Sequence, residues 1–116
     1  MGSTRTSKIS LKIIKPLQPF LKKIVLKFNP EKIILFGSRA RGEAYKSSDY
    51  DLLLVSSEFT PYGMYERMIR IYQLQQIPLA IDLLCLTPLE FNGRKKEHGI
   101  VQEAVREGID ITGMIT

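Results

Sequence analysis

Three short apolar runs constrain this 116-residue chain more than any other feature. They are Lys32 to Phe36 (KIILF), Asp49 to Val55 (DYDLLLV) and Leu79 to Leu86 (LAIDLLCL). The first is short, β-branched and apolar between Pro30 and Gly37, which predicts a buried strand, and the other two read the same way. Between the runs the period changes. Leu17, Phe20, Leu21, Ile24, Val25 and Phe28 recur at helical spacing, with Lys22, Lys23 and Lys27 on the opposite side. Pro16 and Pro19 suit the first turn of that helix, and Asn29-Pro30 stops it. Met64, Met68, Ile71, Tyr72 and Gln75, flanked by Tyr65 and Ile69, predict a second helix, with both methionines packing inward. Glu66 and Arg70 form an i,i+4 pair on it. Thr87-Pro88 caps a short helical stretch, and Ile100, Val101, Ala104 and Val105 mark a final helix that Gly108 ends. Strands alternating with helices predict an α/β layer, a small sheet covered by helices. Ile9, Leu11 and Ile13 alternate, which fits a short strand or an extended lead-in.

The length suits one domain, residues 17–116, behind a basic and partly disordered segment, residues 1–16. The net charge of +5 is unevenly spread. Residues 1–30 hold seven Lys or Arg and no acid, so the remainder is slightly acidic. That basic stretch is either a solvated tail with the wet face of a helix, or a contact for nucleic acid or an acidic partner. No apolar run approaches the roughly eighteen residues that span a bilayer, and no signal-peptide pattern is present, so a cytoplasmic protein with no membrane contact is expected. The single cysteine, Cys85, excludes an internal disulfide and reads as buried packing. His98 reads as a helix-surface residue.

The chemistry concentrates in FGSRARGEAYKSSDYDLLLV, Phe36 to Val55. A strand that ends in Gly37-Ser38 and enters a helical Arg39-Ala40-Arg41 presents backbone N–H groups to an anion. Gly permits close approach, Ser adds a hydroxyl, and the two arginines offer forked donors to phosphate oxygens. A serine cap beside arginines is common, so the turn alone decides nothing. A P-loop is excluded, because Glu43 and Ala44 follow Gly42 where that motif needs Lys and Ser or Thr. On a strand, Asp49 and Asp51 project to one side while Tyr50 points away. Their mutual repulsion would be relieved by a divalent cation, and hard oxygen ligands beside phosphates suit Mg²⁺. Two acids at a strand start are equally an ordinary turn feature.

Asp82 shifts that balance. It lies within an apolar strand, where an unpaired carboxylate is expensive to bury. A strand paired beside β-residues 49–54 would bring it to the other two acids, and three carboxylates suit a two-metal phosphoryl-transfer centre. The alternative is an edge-strand acid facing water.

Together these residues read Gly37-Ser38, ten residues, Asp49-x-Asp51, and a third acid on a later strand. The pattern resembles the signature of the minimal nucleotidyltransferase (MNT) family of the polymerase-beta-like superfamily, GS-x10-D-x-D, often written GSRARG…SDxDL. Four fixed types at roughly 6% each would match by chance in about one chain in a thousand of this length. The likeness extends over most of residues 17–112, including TPLEF and the closing EAVREGIDI.

The resemblance implies a small mixed sheet with helices packed against it. It places the triphosphate of a bound NTP at Gly37 and Ser38, with Arg39 and Arg41 steadying phosphates or serving structure. It makes Asp49, Asp51 and Asp82 both the catalytic acids and the ligands of two Mg²⁺ ions, with Asp82 helping to deprotonate the acceptor hydroxyl. The implied reaction moves a nucleoside monophosphate, AMP from ATP, onto that hydroxyl and releases pyrophosphate. Family members are typically encoded beside a HEPN-domain toxin and act as its antitoxin, adenylylating a toxin tyrosine. Alternatives are a non-catalytic antitoxin that binds its partner, or transfer to RNA or a small molecule. A free sheet edge or the first helix could also support a homo-oligomer. Tyr45 and Tyr50 lie near the site, with surface or packing roles expected.

Overall fold

The computed structural model describes residues 11–41 and 49–115. The segment 1–8 expected to be disordered, Ile9, Gly42, Glu43 and Tyr45 lie outside those residues. In chain order, a 3-10 turn (Lys15–Leu17) leads into α1 (Gln18–Phe28), β1 (Lys32–Phe36), a short α2 (Ser38–Arg41) and β2 (Tyr50–Val55). A second 3-10 turn (Ser57–Phe59) precedes α3 (Met64–Tyr72), β3 (Ile81–Leu86), α4 (Pro88–Arg94), α5 (Ile100–Glu107) and β4 (Ile109–Asp110). The sheet order is β3-β2-β1-β4. β1 pairs antiparallel with β2 and β4, and β2 pairs parallel with β3, so the sheet is mixed. Parallel neighbours need a crossover, and the segment carrying α3 provides it.

Side chains alternate across each strand, which gives the sheet two apolar faces. One face presents Ile33, Leu35, Tyr50, Leu52, Leu54 and Cys85 to Phe20, Leu21, Ile24 and Phe28 of α1 and to Ile71 of α3. The other presents Ile34, Leu53, Val55 and Leu86 to Phe91 of α4 and to Val101 and Ala104 of α5. Burying each such large side chain contributes roughly 1.5–3 kcal/mol. β2 is central and feeds both faces, which is why its leucines run without a polar break.

Local chemistry sets the element ends. Asn29 adopts a left-handed conformation (φ 42°) and its N–H donates to Val25 O at 3.0 Å, closing α1 as Asn29-Pro30 predicts. Thr87 and Glu90 form a reciprocal capping box at the start of α4. Gly108 closes α5, its N–H donating to Ala104 O at 2.8 Å. A Cβ there would stand 2.3 Å from Ala104 O and 2.6 Å from Ile34 Cγ2, so any side chain would force α5 away from β1.

Several expectations change. Leu11 and Ile13 are helical rather than extended, and Ile14 is fully buried, so the core reaches back before α1. β2 starts at Tyr50 and leaves Asp49 outside the ladder, β3 starts at Ile81, and α3 ends at Tyr72, short of Gln75. His98 sits exposed in the turn between α4 and α5. Met68 packs against the core, whereas Met64 is exposed. Cys85 is buried as expected, and burial pushes its thiol up to about 12. Glu66 and Arg70 do pair, at 2.9 Å.

The largest surprise is Arg67, only 5% exposed on α3. Its Nε donates to Phe59 O (3.1 Å) and Tyr62 O (2.8 Å), and its Nη1 to Cys85 O (3.1 Å) and Glu90 Oε1 (2.6 Å). The guanidinium's hydrogen bonds hold the Glu90 carboxyl below the ordinary range. A charge can be buried here because each side of it meets an acceptor.

Candidate active site

The site forms where β1 turns into α2. Gly37 has φ 77°, and its carbonyl accepts the Ala40 and Arg41 N–H groups at 3.1 and 3.2 Å. Phe36 pairs with Asp51, so the turn crosses directly over that aspartate. A Cβ on Gly37 would stand 2.2 Å from Asp51 Oδ2. Glycine is required twice over, by the backbone angle and by the carboxylate beneath it. Ser38 opens α2, where the first N–H groups of a helix have no acceptor within it.

The two arginines of α2 part company. The Arg39 guanidinium lies 4.4 Å above the Tyr50 ring. Tyr50 is buried in the α1 face of the sheet, and its hydroxyl donates to Ile13 O at 3.2 Å. Packing is thus its role, and Arg39 is held against the face that Asp51 does not share. Arg41 is exposed, and its charge acts on Asp51, favouring the ionised carboxyl. A cavity of about 170 Å³ opens beside Gly37, lined by Phe36, Arg41, Ile100, Glu103 and Glu107.

The parallel register sets Asp51 opposite Asp82. Both project to the face of Leu53 and Leu84, at the end of the sheet beyond the residues that α4 and α5 cover. Asp82 is exposed, not buried: β3 is an edge strand, which is the alternative the sequence allowed, and its outward face carries the acid toward the neighbouring one. Burial raises the pKa of Asp51, and the charges of Asp82 and Asp49 and a hydrogen bond with Asp82 add to the rise. Asp49, exposed and one residue outside β2, therefore lies close enough to act on Asp51 electrostatically.

Hard oxygen donors of one sign, crowded at an open edge, fit a divalent cation. Among the described residues no three acidic, histidine or cysteine side chains are drawn together tightly enough to hold a metal by themselves. Asp51 and Asp82 stand in register at that edge, with the Gly37 turn directly over Asp51.

Two side chains bonded to β3 escape the sequence reading, and only the second lies beside the acids. Arg67 hides within an apolar helical pattern. Tyr72, taken for part of an apolar stripe, donates its hydroxyl to Ile81 O at 2.6 Å, next to Asp82. Burial and then the Asp82 charge raise its pKa.

The family model described as "Nucleotidyltransferase domain" matches residues 17–111. A curated protein of Methanocaldococcus jannaschii named "Putative protein adenylyltransferase" is 28% identical over 103 residues, covering 87% of this chain and 100% of the relative. A crystal structure of "a putative nucleotidyltransferase" from Sulfolobus solfataricus superposes with a TM-score of 0.62 at 20% identity. It covers 91% of this chain and 85% of that one, a likeness of fold. Among the described residues no helix is long and apolar enough to cross a membrane.

Proposed function

Because the chain belongs to the nucleotidyltransferase domain family, we propose that it transfers AMP from ATP to an acceptor hydroxyl in a Mg²⁺-dependent reaction. The observation that carries this reading is the register that sets Asp51 against Asp82 directly beneath the Gly37 turn. Gly37 and Ser38 admit the triphosphate, and Arg41 directs positive charge to it. Arg39, stacked on Tyr50, stiffens the turn from the opposite face. Asp51 and Asp82 would hold two Mg²⁺ ions with Asp49 as the third ligand. The chemistry supplied by those ions is neutralisation of the triphosphate and Lewis-acid polarisation of the α-phosphorus. Asp82, exposed at the sheet edge, accepts the proton of the incoming hydroxyl as it attacks in line and pyrophosphate leaves.

The acceptor we propose is a tyrosine of a HEPN-domain toxin, which makes this protein the antitoxin of the pair. The curated relative, named for adenylyl transfer to protein, supports a protein acceptor. Labelled ATP, Mg²⁺ and a HEPN-domain protein identified in the neighbouring reading frame should yield labelled toxin. Replacing Asp49 and Asp51 together by Ala should lower that labelling by on the order of a thousandfold. Undiminished labelling by the double variant would overturn the assignment, and full neutralisation without labelling would identify a binding module instead.

A further inference from the structure

Among the described residues β3 has a strand neighbour on one side only. The Tyr50 N–H donates to Ala80 O at 2.9 Å, and Tyr50 stands in register with Ile81. In a parallel ladder that arrangement turns the C=O of Ile81 toward the free edge, away from β2. The hydroxyl of Tyr72 waits there, 2.6 Å from Ile81 O. The Leu83 backbone, which also faces outward, interacts with the same hydroxyl and opposes the rise in its pKa. A single side-chain oxygen thus engages the residues on either side of Asp82. Farther along, Arg67 Nη1 takes the outward carbonyl of Cys85 at 3.1 Å. α3 stands where a fifth strand would pair, and its side chains replace that strand's bonds.

Asp82 is the second residue of β3, at the point where an edge strand frays most readily. With β2 alone to hold it, the peptide carrying Asp82 could swing about that ladder. We infer that Tyr72 is a positioning residue for Asp82, its hydroxyl clamping the Ile81–Leu83 backbone so that the Asp82 carboxylate stays turned toward Asp51. The inference rests on the nucleotidyl-transfer reading of the site. Tyr72 touches neither nucleotide nor acceptor in this role.

The test is Tyr72→Phe, which keeps the ring and the packing of α3 while deleting the hydroxyl. With the wild type and variant both fully folded, kcat should fall by about tenfold while KM for ATP changes by less than about twofold, the pattern of a lost supporting bond. Amide hydrogen exchange in nucleotide-free protein should speed up by about tenfold at Leu83 and stay unchanged at Leu52 and Leu54. An unchanged kcat, or a loss that merely follows the folded fraction, would overturn the positioning role. Should the wild type transfer nothing, the functional reading fails on its own. The exchange experiment then still judges Tyr72, and unaltered protection at Leu83 rejects the clamp.

Discussion

At the C-terminal end of β3, Arg67 reaches into the protein and finds Glu90 and three backbone carbonyls. At the N-terminal end, Asp82 faces Asp51 with another acid, Asp49, close by. The same strand thus ends in opposite electrostatic situations. At the first, hydrogen bonds from Arg67 lower the pKa of Glu90; at the second, burial and then the charges of Asp82 and Asp49 raise that of Asp51. An end whose charges are matched by the protein's own atoms contributes stability. An end whose charges repel costs stability and gains only when a cation arrives. The difference separates what folds this molecule from what it works with.

The strongest way to break the comparison is Arg67→Met. Three carbonyls and a half-buried carboxylate lose their donor, and the cost should be about 3 kcal/mol. Urea unfolding would show it as a lower midpoint, with a Tm lower by on the order of 10 °C. Below its own Tm the variant should still transfer nucleotide, since no part of Arg67 reaches the acids. A Tm within a degree of wild type would show that the arginine's bonds add nothing net.

Gly37→Ala strikes the other end. The left-handed backbone costs about 1–2 kcal/mol, and the new methyl must displace the Asp51 carboxylate. Transfer should therefore fall far more than stability does, by on the order of a hundredfold in kcat. Calorimetry beside the labelling assay separates the two losses, and equal losses would mean that the turn is only a turn.

The smallest effect has the opposite sign. Asp51→Asn removes a repelled carboxylate and should stabilise the metal-free protein at neutral pH by less than about 1 kcal/mol, while abolishing transfer. Its pH signature follows from linkage. With a folded-state pKa above 3.8, Asp51 favours the fold when protonated, so its contribution declines as pH rises from 3.8 through the folded value. Glu90 runs the other way: with a pKa below 4.5, its contribution is complete above 4.5 and vanishes as pH falls through the folded value. Unfolding free energies measured between pH 3 and 7 should show the Asp51 component missing in Asp51→Asn and the Glu90 component missing in Glu90→Gln. Superimposable profiles for wild type and Asp51→Asn would dissolve the contrast.

Much of this was legible in the residues alone. β1 spans Lys32–Phe36 as its apolar run and flanking Pro30 and Gly37 predict, and the Thr87 cap and Gly108 stop stand where their chemistry puts them. The Gly37 turn likewise falls at the end of β1, where the Gly-Ser pair predicts it. What stayed hidden depends on which elements become neighbours. Asp82 lies in an apolar run whether its strand is central or at the edge, and only the sheet order makes it exposed. Arg67 breaks the apolar stripe at i+3 from Met64 and i−4 from Ile71, but what satisfies it there, the carbonyls of Phe59, Tyr62 and Cys85 and the Glu90 carboxylate, is set by tertiary packing. Asp49 slipped outside β2 because local alternation marks a face but does not say where a ladder begins. Tyr72 fits the helical apolar pattern, which says nothing of its hydroxyl; only the edge position of β3 gives that oxygen a backbone partner.

The parallel pairing of β2 with β3 also has a meaning in time. Asp51 is synthesised well before Asp82, and the two meet only after the whole crossover through α3 has been made and folded back. Hairpins between β1 and β2 can form early, but a contact this distant in sequence closes late, since the loop entropy must be overcome first. A chain still emerging from the ribosome, or one caught half folded, has the Gly37 turn and no acid pair beneath it. On the proposed reading of the site, competence would arrive only with completion of the fold, after the chain has closed this distant pairing.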